Sequence, residues 1–263
     1  MTIYRPSHHL IIPGARVSQP GGAAGNGLLN ALIAYWPGNE ASGNALDLHT
    51  NALHLTDANT VTSAAGLVYA TARQYTAAIC KYHARAADDV LFSTGDVDFT
   101  IAVWCWMDSK TASERIVSKW TTAVAGREYT CGYLFAWDRF FLQVRDMADA
   151  TTTTVQANTL GSPSINAWYL IIAGHDAANN LAWICVNNGA VDTQPHAGGV
   201  FDSASRFAIG TDNVGSGANM WDGRIGPTMF WKSAAGGGGV LTAAQRTALY
   251  NAGAGLPYAS FTA

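Results

Sequence analysis

Side chains able to carry out acid–base or nucleophilic chemistry are sparse in this sequence. It has only three glutamates, Glu40, Glu114 and Glu128, none within ten residues of another. Retaining hydrolysis of a glycosidic bond needs two carboxyl groups about 5 Å apart. On a strand, an E-x-D-x-E pattern would supply them, because alternate residues share a face. No such pattern is present. Asp96 and Asp98 have the i, i+2 spacing, but they precede a strand where a polar turn is expected, and they are read as that turn. GxSxG, HExxH and GxxxxGK[ST] are also absent. His8 and His9 lie near the N-terminus, and His49, His54, His83, His175 and His196 are scattered, which reads as solvated loop histidines. The four cysteines, Cys80, Cys105, Cys131 and Cys185, show no CxxC spacing, and three fall inside expected strands. They read as buried thiols behaving as small hydrophobes. The expectation is a protein that is not an enzyme.

Composition bounds what remains. Of 263 residues, 49% are hydrophobic and only 13% charged, about half the usual charged fraction, with 27 glycines spread throughout. That is enough for one large β-sandwich with a neutral-polar surface. A net charge of -3 offers no broad basic field, so neither nucleic acid nor an anionic membrane is an expected partner. No stretch approaches the ~20 apolar residues of a membrane span. Leu10-Ile11-Ile12, flanked by Pro6 and Pro13, is too short for a signal-peptide core, and synthesis without export is expected.

The elements that must position any site are strands. Trp168 to Gly174 and Leu181 to Val186 are rich in β-branched, aromatic and aliphatic residues around a polar turn, His175 to Asn180, and predict a hairpin. Asn187-Asn188-Gly189 follows as a second tight turn, since Asn and Gly tolerate positive φ, and pairing should continue beyond it. Phe99 to Met107 predicts a central strand buried on both faces, with Phe99, Ile101, Val103 and Cys105 on one side and Trp104 and Trp106 on the other. Tyr129 to Trp137 and Phe140 to Asp146 predict a hairpin about Asp138-Arg139, and Thr151 to Val155 an edge strand. Further strands are expected at Leu29 to Trp36, Ala52 to Leu55, Val61 to Ala64, Gln74 to Tyr82, Asp89 to Phe92, Arg115 to Lys119, Phe207 to Gly210 and Arg224 to Trp231. One helix is expected near the C-terminus, begun by a Thr242/Gln245 capping box and ended at Gly253. Residues 1–27, closing on the linker Pro20 to Gly27, read as an extended arm outside a domain of residues 28–263.

Five motifs in order carry a resemblance. Tyr35-Trp36-Pro37 with Gly43 and Asp47, Phe99 to Trp104, Trp168 with the VNNG turn, Ile209-Gly210 with Trp221 to Ile225, and Leu241-Thr242 to Gly253 resemble laminin-G-like domains of the concanavalin A-like lectin/glucanase superfamily. The resemblance implies an all-β, two-sheet antiparallel jelly-roll sandwich of six or seven strands per sheet, with one short C-terminal helix. No cofactor is expected; related domains often hold a structural calcium ion, for which Asp212, Asn213 and Asp222 are the candidate ligands by loop position. Against that, Gly226 stands where the family pattern is commonly acidic.

Glycan contact would use aromatic faces beside polar side chains. Trp120, Tyr129, Trp137 and Trp221, near loops or strand ends, are the candidates, whereas Trp104, Trp106, Trp168 and Trp183 read as core. In the arm, Ile3, Tyr4, Leu10, Ile11 and Ile12 would lie on another subunit. The resemblance extends to modules of phage and environmental bacterial proteins. The expected role is a non-catalytic structural or recognition module on a virion surface, a capsid decoration or fibre protein joined to other subunits by its arm and forming homo-oligomers. A secreted glycan-binding lectin is the alternative, ahead of a polysaccharide-cleaving enzyme.

Overall fold

The computed structural model describes residues 25–212, 214–217 and 219–263. The arm residues Ile3, Tyr4, Leu10, Ile11 and Ile12, and the loop residue Asn213, lie outside the described residues. The strands in chain order are β1 (Leu32–Trp36), β2 (Thr56–Ala58), β3 (Thr62–Ala65), β4 (Thr71–Tyr75), β5 (Tyr82–Ala84), β6 (Asp98–Met107), β7 (Glu114–Lys119) and β8 (Tyr129–Leu134). They continue as β9 (Arg139–Arg145), β10 (Thr152–Gln156), β11 (Trp168–Asp176), β12 (Leu181–Val186), β13 (Asp192–Pro195), β14 (Phe207–Ile209) and β15 (Gly223–Ser233), before α1 (Ala243–Tyr250). One sheet of eight strands runs β13-β12-β11-β6-β15-β4-β3, with β1 also paired to β15; a sheet of seven runs β10-β9-β8-β7-β14-β5-β2. Neighbouring strands are antiparallel. Together the sheets form the expected jelly-roll sandwich.

The inner faces meet in one apolar core. Phe99, Ile101, Val103 and Cys105 of β6 face Tyr129, Cys131 and Tyr133 of β8 and Phe140, Leu142 and Val144 of β9. At its centre Trp36 stacks on Phe207 at 5.1 Å and Phe92 on Phe207 at 4.3 Å, while the Trp36 indole N–H donates to the Leu53 carbonyl at 2.9 Å. A second apolar layer covers the outer face of the eight-stranded sheet, where Ala102, Trp104, Leu170, Ile172, Trp183 and Trp231 pack under Leu241, Leu249 and Phe261. β6 is therefore buried on both sides, as its two apolar faces require. Trp106 and Trp168, read as core, are only half-buried at one end of this face, and the Arg224 guanidinium lies 4.7 Å over the Trp106 ring. Among the described residues, no helix is long and apolar enough to cross a membrane.

Several expectations shift for local reasons. Ala52 to Leu55 makes only a single bridge, Ala45 to Leu55, and the strand begins at Thr56. Gln74 to Tyr82 is broken by a 3-10 turn, Ala77–Ile79, because the chain there leaves the eight-stranded sheet for the seven-stranded one. Asp89 to Phe92 is a turn closed by the Phe92 N–H on the Asp89 carbonyl, and it drives the Phe92 ring into the core. The capping box on α1 forms, but the helix ends at Asn251 (φ 46°), whose left-handed conformation closes it before Gly253. Asn187 and Asn188 take φ of 51° and 58°, and pairing does continue beyond them, into β13.

The histidine reading needs correction. His83, His175 and His196 are buried, held by protein partners rather than by solvent. His83 sits between the Tyr75 hydroxyl at 2.9 Å and the Gly43 carbonyl at 3.0 Å, and burial pushes its pKa down to about 4. All four cysteines are free thiols, with Cys105, Cys131 and Cys185 buried.

Two polar features tie the sandwich together. Lys119 and Glu128 are both fully buried and pair at 2.6 Å. Glu128 also accepts from the Thr94 N–H at 2.7 Å, the Thr94 hydroxyl at 2.8 Å and the Ser203 N–H at 3.0 Å; Lys119 reaches Asp88 at 3.0 Å and donates to the Ser203 carbonyl. The pair thus pins two loops to the end of β7. The second feature joins the ends of the domain. Asn26, expected in the linker, donates to the Ser260 carbonyl at 2.7 Å and accepts from the Thr262 N–H at 2.9 Å. Through these contacts the two chain segments meet beside Leu28 and Phe261 on the outer face of the eight-stranded sheet.

Candidate functional site

A bulge in β7 builds the most complete polar site. The register of β7 against β8 shifts between Arg115 and Val117, so Ile116 and Val117 both enter the core while Arg115 turns to the outer face of the seven-stranded sheet. Gly132 pairs with Arg115 there, and a Cβ on it would stand 2.1 Å from the Glu114 carbonyl oxygen, so only glycine fits. With no side chain at Gly132, the Arg115 guanidinium reaches across β8 and lies 4.7 Å over the ring of Phe141, the next residue in that row. The following row, Ser118, Thr130, Gln143 and Thr154, is polar throughout.

Beside these rows lies a depression of about 370 Å³, lined by Arg115, Trp120, Arg127, Gln143, Thr152, Asp212 and Asn219 with Thr122. Asp212 is its acceptor. One carboxylate oxygen takes the Asn219 amide at 2.8 Å and faces Arg115 Nε at 3.4 Å, an ion-pair contact without hydrogen-bond alignment. The other, Oδ1, is buried and has no hydrogen-bond partner among the described residues. Burial raises the Asp212 pKa and lowers that of Arg115, each against the pull of the other. Arg127 stacks 5.6 Å over Trp120 and spends one N–H on the Thr122 carbonyl, leaving its buried Nε without a partner. Residues that carry orphaned donors and an orphaned acceptor therefore line the same hollow, with those atoms just beneath its surface. Such groups are costly unless something hydrogen-bonds them.

Of the aromatic candidates, the structure brings only Trp120 to this place. Tyr129 is a core residue whose hydroxyl donates to the Phe92 carbonyl, and Trp221 is wholly buried, so neither presents a ring face to a ligand. Their strand-end positions lie beneath loops that fold over them. Trp137 is exposed with Phe135 on the β8–β9 turn, away from the depression. Of the expected calcium ligands, Asp212 is held by Arg115 and Asn219, whereas Asp222 lines a separate hollow. Among the described residues, no three His, Cys, Asp or Glu side chains converge as metal ligands would. Sequence reasoning missed Arg115, Arg127, Gln143, Thr152 and Asn219. Gln143 and Arg145, alternating with Leu142 and Val144 on β9, were the one readable sign of a polar outer face.

The second hollow, of about 580 Å³, has Glu114 and Asp222 in its wall and no basic side chain. Glu114 accepts from the Asp222 N–H at 3.0 Å, and burial, aided by the Asp222 and Asp108 charges, pushes its pKa up to about 8. An acid held protonated by the fold weakens the fold where only the unfolded chain ionises. Stability should thus fall as pH rises from about 4.5 to about 8, then level off. Glu114→Gln should remove that slope and leave the protein more stable than the parent at pH 8 and above, by on the order of a few kcal/mol, and unchanged at pH 4. Parallel slopes for the two proteins in denaturant unfolding across this range would refute it.

Two antiparallel sheets closed face to face, with the polar hollow on one outer face, define a jelly-roll sandwich. The profile of the Concanavalin A-like lectin/glucanases superfamily matches residues 81–237, and the chain belongs to that superfamily. Among solved structures, domain 4 of AbnA, a GH43 extracellular arabinanase from Geobacillus stearothermophilus in complex with arabinotriose, has a TM-score of 0.57 at 13% identity, over 82% of this chain and 98% of that one. The binding domain of Paraclostridial Mosquitocidal Protein 1 gives 0.59 at 12% identity, over 79% of this chain and 50% of that one. Trypanosoma rangeli sialidase in complex with the inhibitor DANA gives 0.56 at 10% identity, over 86% of this chain and 34% of that one. The chain thus spans half of the second protein and about a third of the third. At these identities the likeness is one of fold. No curated protein matches the sequence.

Proposed function

We propose that this domain is a non-catalytic recognition module that binds a saccharide in the hollow between Trp120, Arg115 and Asp212. The observation that carries the reading is the set of buried polar atoms left there without hydrogen-bond partners among the described residues, Asp212 Oδ1 as acceptor and the Arg115 and Arg127 Nε–H groups as donors. A polyhydroxylated ligand supplies donors and acceptors together and would satisfy both kinds. Two of the similar structures point the same way, one carrying arabinotriose and one being a sialidase. The setting that fits is display on a virion or comparable assembly. The apolar arm would hold the particle, since the described domain begins on the face opposite the hollow.

A glycan array tests the reading. The protein should retain sugars without cleaving them, and Asp212→Asn, which replaces the acceptor by a donor at nearly constant shape, should weaken retention about ten- to a hundredfold while the fold persists. Removing residues 1–24 should leave sugar binding intact and abolish attachment to particles. Retention unaffected by Asp212→Asn would sink the assignment of the site, and released products would sink the non-catalytic reading.

A further inference from the structure

The charges of the hollow do not cancel. Its one acid among the described residues, Asp212, is already faced by Arg115 at 3.4 Å and bonded by Asn219. Arg127 has no carboxylate within ion-pair distance, though its charge acts on Asp212 from farther off; among the described residues its guanidinium meets the Trp120 ring and the Thr122 carbonyl. That carbonyl takes Nη2 at 3.0 Å, and Nε is shielded from solvent and unpartnered. A guanidinium lying over an indole and bonded to a carbonyl is oriented in advance, because its stem has less rotamer freedom left to lose. Its remaining N–H groups form a planar fork, which matches two oxygens of one anionic group. Across the hollow the paired Asp212 offers a lone acceptor suited to a hydroxyl. The lining therefore reads as a cation at one side and a hydroxyl acceptor at the other, with Gln143 and Thr152 between as neutral polar groups.

We infer that the saccharide this site selects is anionic, with a carboxylate or sulfate on Arg127 and a ring hydroxyl on Asp212. The inference rests on the recognition reading above and narrows it to acidic sugars. A neutral sugar would satisfy Asp212 and Asn219 but leave Arg127 without its charge partner. An anionic one gains a charge-assisted bond in a partly desolvated place, where such bonds are strongest.

The test uses the full chain on an array of matched oligosaccharides: uronic-acid oligomers beside their carboxyl-reduced counterparts, and sulfated oligomers beside desulfated ones. Acidic members should bind roughly tenfold or more tightly than their neutral partners at low salt, and the advantage should shrink as ionic strength rises. The uronic and sulfated arms separate the two anion types. Arg127→Gln should weaken the acidic members more than their neutral partners and bring each matched pair to equal affinity; Arg127→Lys, which keeps the charge but not the fork, should restore part of the preference. Equal or tighter binding of neutral members by the parent protein would overturn the inference and leave the recognition reading standing. An acidic preference that survives Arg127→Gln would overturn the assignment to Arg127. No retention of any member would overturn the recognition reading and this inference together.

Discussion

Glu128→Ala should destabilise the protein by about 3–5 kcal/mol, the largest loss expected of any single polar substitution. Lys119 and Glu128 have no exposed side-chain surface, so truncating the acid takes the buried partner from a buried ammonium and leaves it the more exposed Asp88 and Asp202 and the Ser203 carbonyl. The Thr94 and Ser203 N–H groups, both bonded to Glu128, would lose their acceptor at the same stroke. Guanidinium unfolding should show a large fall in midpoint with little change in slope. Replacing both partners by apolar residues, Lys119→Met with Glu128→Leu, removes the buried ammonium as well and should recover much of the loss, although the two N–H groups stay unsatisfied. A single variant as stable as the parent would show that the pair does not hold the loops. The double variant separates the cost of an unpaired charge from the net worth of the pair, which is usually small.

Trp221→Ala should cost about 3–5 kcal/mol as a core truncation. Trp221 belongs to the central apolar cluster and has no exposed surface, and its indole N–H has no acceptor among the described residues. Trp221→Phe should therefore be mild, because it keeps most of the apolar volume and deletes a donor that bonds nothing. Trp137→Ala, at an exposed turn, should stay within about 0.5 kcal/mol. Thermal melts of the three variants test the order. If Trp221→Ala melted with the parent, Trp221 would have to be a surface residue after all, as its place near a strand end led the sequence reading to expect.

That pair of tryptophans shows where the sequence is legible. β6 could be read from its own residues, because Phe99 to Cys105 and Trp104 with Trp106 make both faces apolar and leave only a central position open to it. The capping box of α1 could be read for the same reason: both members lie three residues apart and bond each other. Trp120, Trp137 and Trp221 look alike in their local settings, yet one lines the hollow, one is exposed and one is core, because that depends on which distant loop closes over each. The site is harder still. Asp212 was visible as an acidic loop residue, but its partners Arg115 and Asn219 meet it only through the β7 bulge and the 212–222 loop, neither of which leaves a local pattern. Calcium binding was one chemistry open to an acid in a loop; in the structure Asp212 meets a guanidinium and an amide.

The meeting of Asn26 with Ser260 and Thr262 has a mechanical consequence. A pull applied through the N-terminal side reaches this clamp first, then the Leu29 N–H bonded to the Thr262 carbonyl at 3.0 Å, and only then β1. β1 is held to β15 by ladder bonds and to the apolar layer by Leu28 and Leu32, so the next step under tension is peeling of one strand, bond by bond. The hollow, on the far sheet, would keep its shape while that strand gave way. How long the domain survives under load would be set by the rate of this first detachment rather than by its equilibrium stability.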